Sequence, residues 1–253
     1  MRRRGGHGGS AGGGGRPGKG PVHLYGRHAV MAALANPQRA CLRLRATREA
    51  LPGLDLPPGL PVEFAGAADL ARLVPDGAPH QGLVLEVEPL EGAHIEDLLS
   101  APGRGPLVLL DGVTDPQNVG AILRSALAFG AAGLVTQDRH APGESGALAR
   151  AAAGALELLP WARVVNLSRA LDQAADAGFW RIGLAGEARR TLAEALAGAA
   201  RVALVLGAEG EGLRPGVAQH ADELARLPID PRMESLNVSV AAGVALYACA
   251  ARG

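Results

Sequence analysis

The chain has 253 residues, 48% of them hydrophobic and 20% charged, with 25 basic and 25 acidic side chains. That is enough apolar material for one large core or two modest ones, and two domains fit the length better. Residues 1 to 20 hold Arg2, Arg3, Arg4, Arg16 and Lys19 and no acid, which leaves 20 basic against 25 acidic residues, a net charge of −5, in the remainder. Attraction of nucleic acid by an overall field is thereby excluded; any contact with a polyanion must come from local patches or from this tail. Cys41 and Cys249 are the only cysteines and lie near opposite ends, which argues against a disulfide scaffold and against a metal centre. With no stretch of 18 uninterrupted apolar residues and no apolar leader, the expectation is a soluble, cytoplasmic protein with no membrane partner, preceded by a disordered Gly/Arg arm over residues 1–20.

Residues 21–90 read as a small α/β domain. A short helix over His28–Leu34 closes at Asn36-Pro37, and Ala40–Ala46 alternates as a strand, placing Leu42 and Leu44 on one face and Arg43 and Arg45 on the other. Arg39 and Arg48 flank it. The resulting arginine cluster makes Arg39, Arg43 and Arg45 candidate RNA contacts; a merely solvated strand face is the alternative. A strand at Val62–Phe64, a helix at Ala67–Leu73 and a strand at Leu83–Val87 complete the unit. A short helix near Ile95–Leu99 and the turn sequence Ser100-Ala-Pro-Gly-Arg-Gly-Pro106 place a linker over 91–106.

From Leu107 the pattern changes. Apolar runs at Leu107–Leu110, Gly133–Val135, Trp180–Ala185, Arg201–Leu206 and Leu224–Leu227 alternate with helical stretches at Asn118–Phe129, Glu144–Ala153, Leu167–Ala177 and Val238–Ala250. Strands alternating with helices predict an α/β domain over 107–253, built on a parallel sheet covered on both faces. Ligands of such sheets bind beyond the carboxyl ends of the strands, where three distinctive loops fall.

The first loop, Asp111-Gly-Val-Thr-Asp-Pro-Gln-Asn-Val-Gly120, runs into Ala121-Ile-Leu-Arg124; Asp115-Pro116 is a helix start, and Gly120 is expected to clear space beside Arg124. At 100° per residue, Asn118 and Arg124 stand roughly 120° apart on that helix. The second loop, Leu204-Val-Leu-Gly-Ala-Glu-Gly-Glu-Gly212, has its glycines in the order G-x-x-G-x-G and carries Glu209 and Glu211. Two carboxylates would repel a pyrophosphate, so NAD and ATP fit it poorly, whereas a cationic, adenosine-containing sulfonium such as S-adenosylmethionine fits. In the third loop, Leu227–Asn237, both Ser235 and Asn237 are helix-capping residues, and the helix that follows is rich in small side chains.

The segments D-G-V-T-D-P-Q-N-V-G-A-I-L-R (Asp111–Arg124), L-G-A-E-G-E-G-L (Leu206–Leu213) and S-L-N-V-S-V-A (Ser235–Ala241) together resemble the SpoU/TrmH family of SPOUT RNA ribose 2′-O-methyltransferases. Leu24-Tyr-Gly-Arg-His28 and His80-Gln-Gly82 are similar to the family's L30e-like substrate-binding domain, and the nearest likeness is to enzymes acting on guanosine of 23S rRNA. One departure is the stretch Ile229-Asp-Pro-Arg-Met-Glu-Ser235.

The resemblance implies a trefoil knot around an S-adenosylmethionine site and a homodimer with the active site at its interface. It also implies cofactor contacts from Leu206, Gly207, Gly212, Leu227, Ile229 and Leu236. Asn118, Arg124, Glu209, Ser235 and Asn237 are implied around the target ribose, with Glu209 placed to hold or neutralise Arg124. A tRNA-directed relative and a catalytically silent RNA-binding protein of the same fold are the rival readings; a dinucleotide-binding dehydrogenase is disfavoured by its glycine order.

Overall fold

The computed structural model describes residues 20–103 and 105–252. All but Gly20 of the basic arm expected over 1–20 lies outside them. Two sheets organise the chain. The smaller is built from β1 (Val22–Tyr25), β2 (Cys41–Ala46), β3 (Val62–Phe64) and β4 (Leu83–Val87) in the order β1-β4-β2-β3, with α1 (Arg27–Ala35) and α2 (Ala67–Ala71) between its strands. β4 is central and buried on both faces: Leu83, Leu85 and Val87 enter the main core, and Val84 meets Tyr25 and Leu70 on the other side. The alternation expected along β2 holds only from Arg43 onward. A bulge between Cys41 and Arg43 drops Leu42 out of register and leaves it 37% exposed, while Leu44 and Ala46 face inward.

The larger sheet is wholly parallel, in the order β7-β6-β5-β10-β8-β11-β9. Its strands are β5 (Leu107–Asp111), β6 (Gly133–Gln137), β7 (Trp161–Val164), β8 (Trp180–Leu184), β9 (Arg190–Thr191), β10 (Val202–Gly207) and β11 (Glu223–Arg226). Its helices are α4 (Pro116–Ala128), α5 (Gly146–Ala152), α6 (Leu167–Asp176), α7 (Leu192–Leu196), α8 (Pro215–Ala218) and α9 (Val238–Ala250), and α3 (Ile95–Ser100) precedes β5. Along β5, Val108 and Leu110 join one core and Leu107 and Leu109 the other, which is what a doubly covered parallel strand requires. β7 and α7 have no counterpart in the predicted elements. Trp161 and a Thr191-x-x-Glu194 capping box were their signals, with Trp161 donating from its indole nitrogen to Thr136 Oγ1 at 2.9 Å.

The two sheets share one apolar core, in which Leu24, Val30 and Ala33 of the small unit pack with Leu148, Ala149 and Ala152 of α5. The expected linker carries α3, whose Ile95, Leu98 and Leu99 are buried in the second core beneath the large sheet. Arg39 joins the units and is not an RNA contact. Its side chain is 0% exposed, with Nε and Nη2 on Glu157 at 3.1 and 2.6 Å, Nη1 on the Glu88 carbonyl at 2.9 Å, and an ion pair to Glu144. Glu144, expected inside a helix, lies just before it. Ser145 caps α5 instead, and Glu144 also accepts from Leu90 N at 3.0 Å; burial pushes its carboxyl above the ordinary range despite Arg39. Arg43 and Arg45 remain at the surface, paired to Glu63 at 2.6 and 2.9 Å.

Candidate active site

The loops that follow β5, β10 and β11 all leave the carboxyl end of the large sheet. β5 and β10 are neighbours at the point where the strand order turns outward in both directions, which opens a crevice between their loops. β5 ends in Asp111, a carboxylate only 1% exposed. It accepts from Arg214 N at 2.9 Å and Nε at 2.7 Å, and Arg214 Nη2 also reaches Asp111 and Gln137. This clamp folds the glycine loop back over the end of β10. A Cβ on Gly207 would collide with the Gly212–Leu213 peptide, so the approach of its own chain already requires the glycine. Sequence reasoning missed Asp111 and Arg214, although an acid closing an apolar run and an arginine just past a glycine loop were visible.

Glu209, at the tip of that loop, gathers the other two. Its Oε1 accepts from Asn118 Nδ2 at 3.2 Å, from Val238 N at 3.1 Å and from Asn237 Nδ2; Asn237 Nδ2 also donates to Asn118 Oδ1 at 3.0 Å. Asn118 is available because Asp115 takes the cap of α4, accepting from Gln117 N at 2.9 Å, ahead of Pro116. Asn237 caps α9 through Oδ1, which accepts from Ser239 N at 2.9 Å and Val240 N at 3.3 Å. Ser235 does not cap; it is exposed two residues earlier. Three of the five candidate catalytic residues thus meet, joined through one carboxylate oxygen.

Arg124 stands apart from this cluster. It is exposed on α4 and, among the described residues, has no hydrogen-bond or ion-pair partner; Glu209 neither holds nor neutralises it. Nor does Gly120 make room for it, since a Cβ there would strike the Leu148 carbonyl and Ala151 of α5. The candidate cofactor residues divide by exposure. Leu206 is 2% exposed, so only its main chain can face a ligand, and Leu227 packs against the core. Leu236 is half-buried, whereas Gly212 and Ile229 reach the surface. The departure at 229–235 forms its own turn, in which Asp230 accepts from Arg232 N at 2.9 Å and pairs with its guanidinium, holding the Asp230 carboxyl below its ordinary range. Among the described residues no group of three or more His, Cys, Asp or Glu is arranged to hold a metal ion, and no helix is long and apolar enough to cross a membrane.

A small mixed sheet fused to a doubly covered parallel sheet, with its polar residues gathered at the strand ends, is the architecture of the two-domain RNA methyltransferases. The putative RNA methyltransferase of the TrmH family from Porphyromonas gingivalis shares it at a TM-score of 0.74 and 26% identity, over 92% of this chain and 90% of that one. The SpoU methyltransferase AviRb from Streptomyces viridochromogenes, solved in complex with AdoMet, shares the fold at 24% identity and a TM-score of 0.74, over 92% of this chain and 90% of that one. Residues 105–247 match the SpoU rRNA Methylase family and residues 23–93 match RNA 2'-O ribose methyltransferase substrate binding, and the chain belongs to the SpoU rRNA methylase family. It is 40% identical over 235 residues to the 23S rRNA (guanosine-2'-O-)-methyltransferase RlmB of Salmonella typhi, covering 88% of this chain and 96% of that one. The enzyme of the same description from Escherichia coli K12 is 39% identical over the same shares.

Proposed function

We propose that this chain transfers a methyl group from S-adenosylmethionine to the ribose 2′-oxygen of a guanosine in 23S rRNA. The observation that carries the reading is the meeting of Asn118, Glu209 and Asn237 at the strand ends, in a chain 40% identical to an enzyme with that activity. The acidic glycine loop suits a cationic cofactor: Glu209 and Glu211 lie in it and no Lys or Arg does. Main-chain groups of Leu206, Gly207, Gly212, Leu227, Ile229 and Leu236 would hold the cofactor, which supplies a methyl on a cationic sulfur for in-line displacement. The chain's own task is alignment of the ribose oxygen and care of its proton. Glu209 Oε1 is occupied by three nitrogen donors, which fix the carboxylate, while Oε2, with no hydrogen-bond partner among the described residues, would accept a ribose hydroxyl. Arg124 presents a guanidinium, unshared among the described residues, that would draw in phosphate and stabilise developing charge, and Ser235 adds a hydroxyl at the rim. Arg43 and Arg45 are retained as candidate RNA contacts on the small sheet, their charge offset by Glu63 and Glu86.

The working form is a homodimer. Support comes from α9, which buries Ala242, Ala245 and Leu246 on one side and exposes Val240, Val244 and Tyr247 at helical spacing on the other, an apolar stripe that a second copy would cover. Mixing inactive Arg124→Ala protein with an inactive Gly207→Leu variant is expected to restore part of the activity if the site is shared between subunits. A monomer in sedimentation at working concentration overturns the dimer.

Methyl transfer is tested by mapping 2′-O-methyl groups on 23S rRNA and tRNA incubated with the protein and labelled S-adenosylmethionine. Label on a guanosine of 23S rRNA is expected. Label on tRNA alone overturns the substrate, and no transfer to either overturns the activity.

A further inference from the structure

The small unit exposes one feature that the strand-end site does not use. β3 is an edge strand of the small sheet, and Phe64 at its end is 56% exposed, whereas the other aromatic residue of the unit, Tyr25, is buried. The Arg48 guanidinium lies 4.7 Å from the centre of the Phe64 ring and, among the described residues, has no hydrogen-bond or ion-pair partner. Phe64 and Arg48 form one wall of a cleft of about 460 Å³, whose other walls are Leu51, Leu54 and Leu56. The loop that supplies those leucines is held in place: Arg27 donates from Nη1 to the Ala50 carbonyl and from Nη2 to the Pro52 carbonyl, both at 3.1 Å, and Thr47 N donates to the Gly82 carbonyl at 2.9 Å. The cleft is therefore built before any ligand arrives.

A half-exposed aromatic ring, a planar cation stacked on it with its donors unspent among the described residues, and an apolar wall suit the base and phosphate of a nucleotide. Proteins read RNA chiefly at unstacked bases, by stacking them on aromatic rings and arginine planes. A peptide would be served by the leucines and could offer Arg48 a carbonyl oxygen, whereas a nucleotide adds a base π-face for Phe64 and an anionic phosphate for Arg48. Resting on the RNA substrate proposed above, we infer that Phe64 and Arg48 form a stacking subsite that grips one unpaired nucleotide of the RNA outside the target ribose and so positions the substrate. The two residues act on binding and not on the displacement step.

The test compares wild type with Phe64→Ala, Phe64→Tyr and Arg48→Ala, measuring anisotropy with a fluorescent fragment of 23S rRNA and steady-state methyl transfer. Phe64→Ala is expected to raise Kd and KM about tenfold or more, within the effect of losing one stacked base, and to leave kcat at saturating RNA and the salt dependence unchanged. Phe64→Tyr retains wild-type affinity. Arg48→Ala weakens binding and lowers the slope of log K against log salt by about 1, the signature of one phosphate contact. Wild-type Kd and KM for Phe64→Ala overturn the subsite while the methyltransferase reading stands. A defect that appears only with assembled ribosomal particles, and not with naked RNA, assigns the cleft to a protein partner and likewise overturns it. Should the wild type bind the fragment but transfer no methyl group, the activity proposal fails while the binding comparison still decides the subsite.

Discussion

Glu157 and Glu209 each accept hydrogen bonds from side-chain nitrogens of two other residues, yet they do opposite work. Glu157 is 2% exposed at the junction of the two sheets, where Arg39 binds it through Nε and Nη2 and Asn36 adds a third donor at 2.8 Å. Glu209 sits at the surface and is met only by amides, two from side chains and one from the main chain. The lesson is about counterions. A carboxylate taken out of water demands a cation, and once it has one its charge is spent on the fold. A carboxylate left in water and oriented by neutral donors keeps its charge for a ligand. The same contrast separates the arginines of the first domain: Arg39 is spent at the junction, while Arg48, above Phe64, has no ion-pair partner among the described residues.

The sharpest way to break this contrast is to remove the buried cation. Arg39→Met strands two carboxylates, and chemical denaturation should show a loss of about 3–5 kcal/mol, with turnover at low temperature close to wild type. A loss under 1 kcal/mol would mean that water already reaches the junction. Removing the exposed carboxylate should do the reverse. Glu209→Ala is expected to lower kcat by about 10²–10³, on the scale of losing one oriented polar group in a transition state, with a stability loss of no more than about 1 kcal/mol. Unaltered kcat would place the chemistry elsewhere in the crevice. An exposed pair offers the control: Arg43→Ala breaks its 2.6 Å contact with half-exposed Glu63 and should cost about 0.2–1 kcal/mol, less in high salt.

A further effect shows only in alkaline solution, as a pH dependence. Burial lifts the Cys249 thiol from 9.0 to about 11 in the folded chain. A raised folded value means stability fully present below the unfolded pKa and lost as pH rises through the folded one, so the loss should spread from 9.0 to about 11. Cys249→Ala should lack that alkaline component in denaturation curves taken across the window.

Much of the large domain was legible along the chain, because a parallel strand buried on both faces leaves an uninterrupted apolar run. Leu107–Leu110 and Arg201–Leu206 read as strands, and they match β5 and β10 to within a residue at either end. Asn118, Glu209 and Asn237 were legible as candidates through the three loop motifs, and their loops through the rule that ligands gather at strand ends. The family, too, was legible, since three ordered motifs are a property of sequence alone. The small sheet was harder. Its strands are short, and the bulge at Cys41/Arg43 inverts the facing of Leu42 in a way no alternation shows.

What only the tertiary structure decided is where each charge is spent. Arg39, Arg43, Arg45 and Arg48 lie within ten residues of one another and look alike in sequence; burial against α5 and its flanking carboxylates makes the first a structural ion, and the edge position of β3 sets the last over Phe64. The role of Gly207 changed for the same reason. A glycine after a strand signals close approach, but what approaches was fixed only when Asp111 and Arg214 drew residues 212–213 across it. Sequence determined the elements and the family because both are written in local order, in periodicity and motif. Partners far apart in the chain are set by tertiary pairing: Asn118 meets Glu209, 91 residues on, because β5 and β10 are neighbours in the large sheet, and Arg39 meets Glu157, 118 residues on, where the two sheets pack.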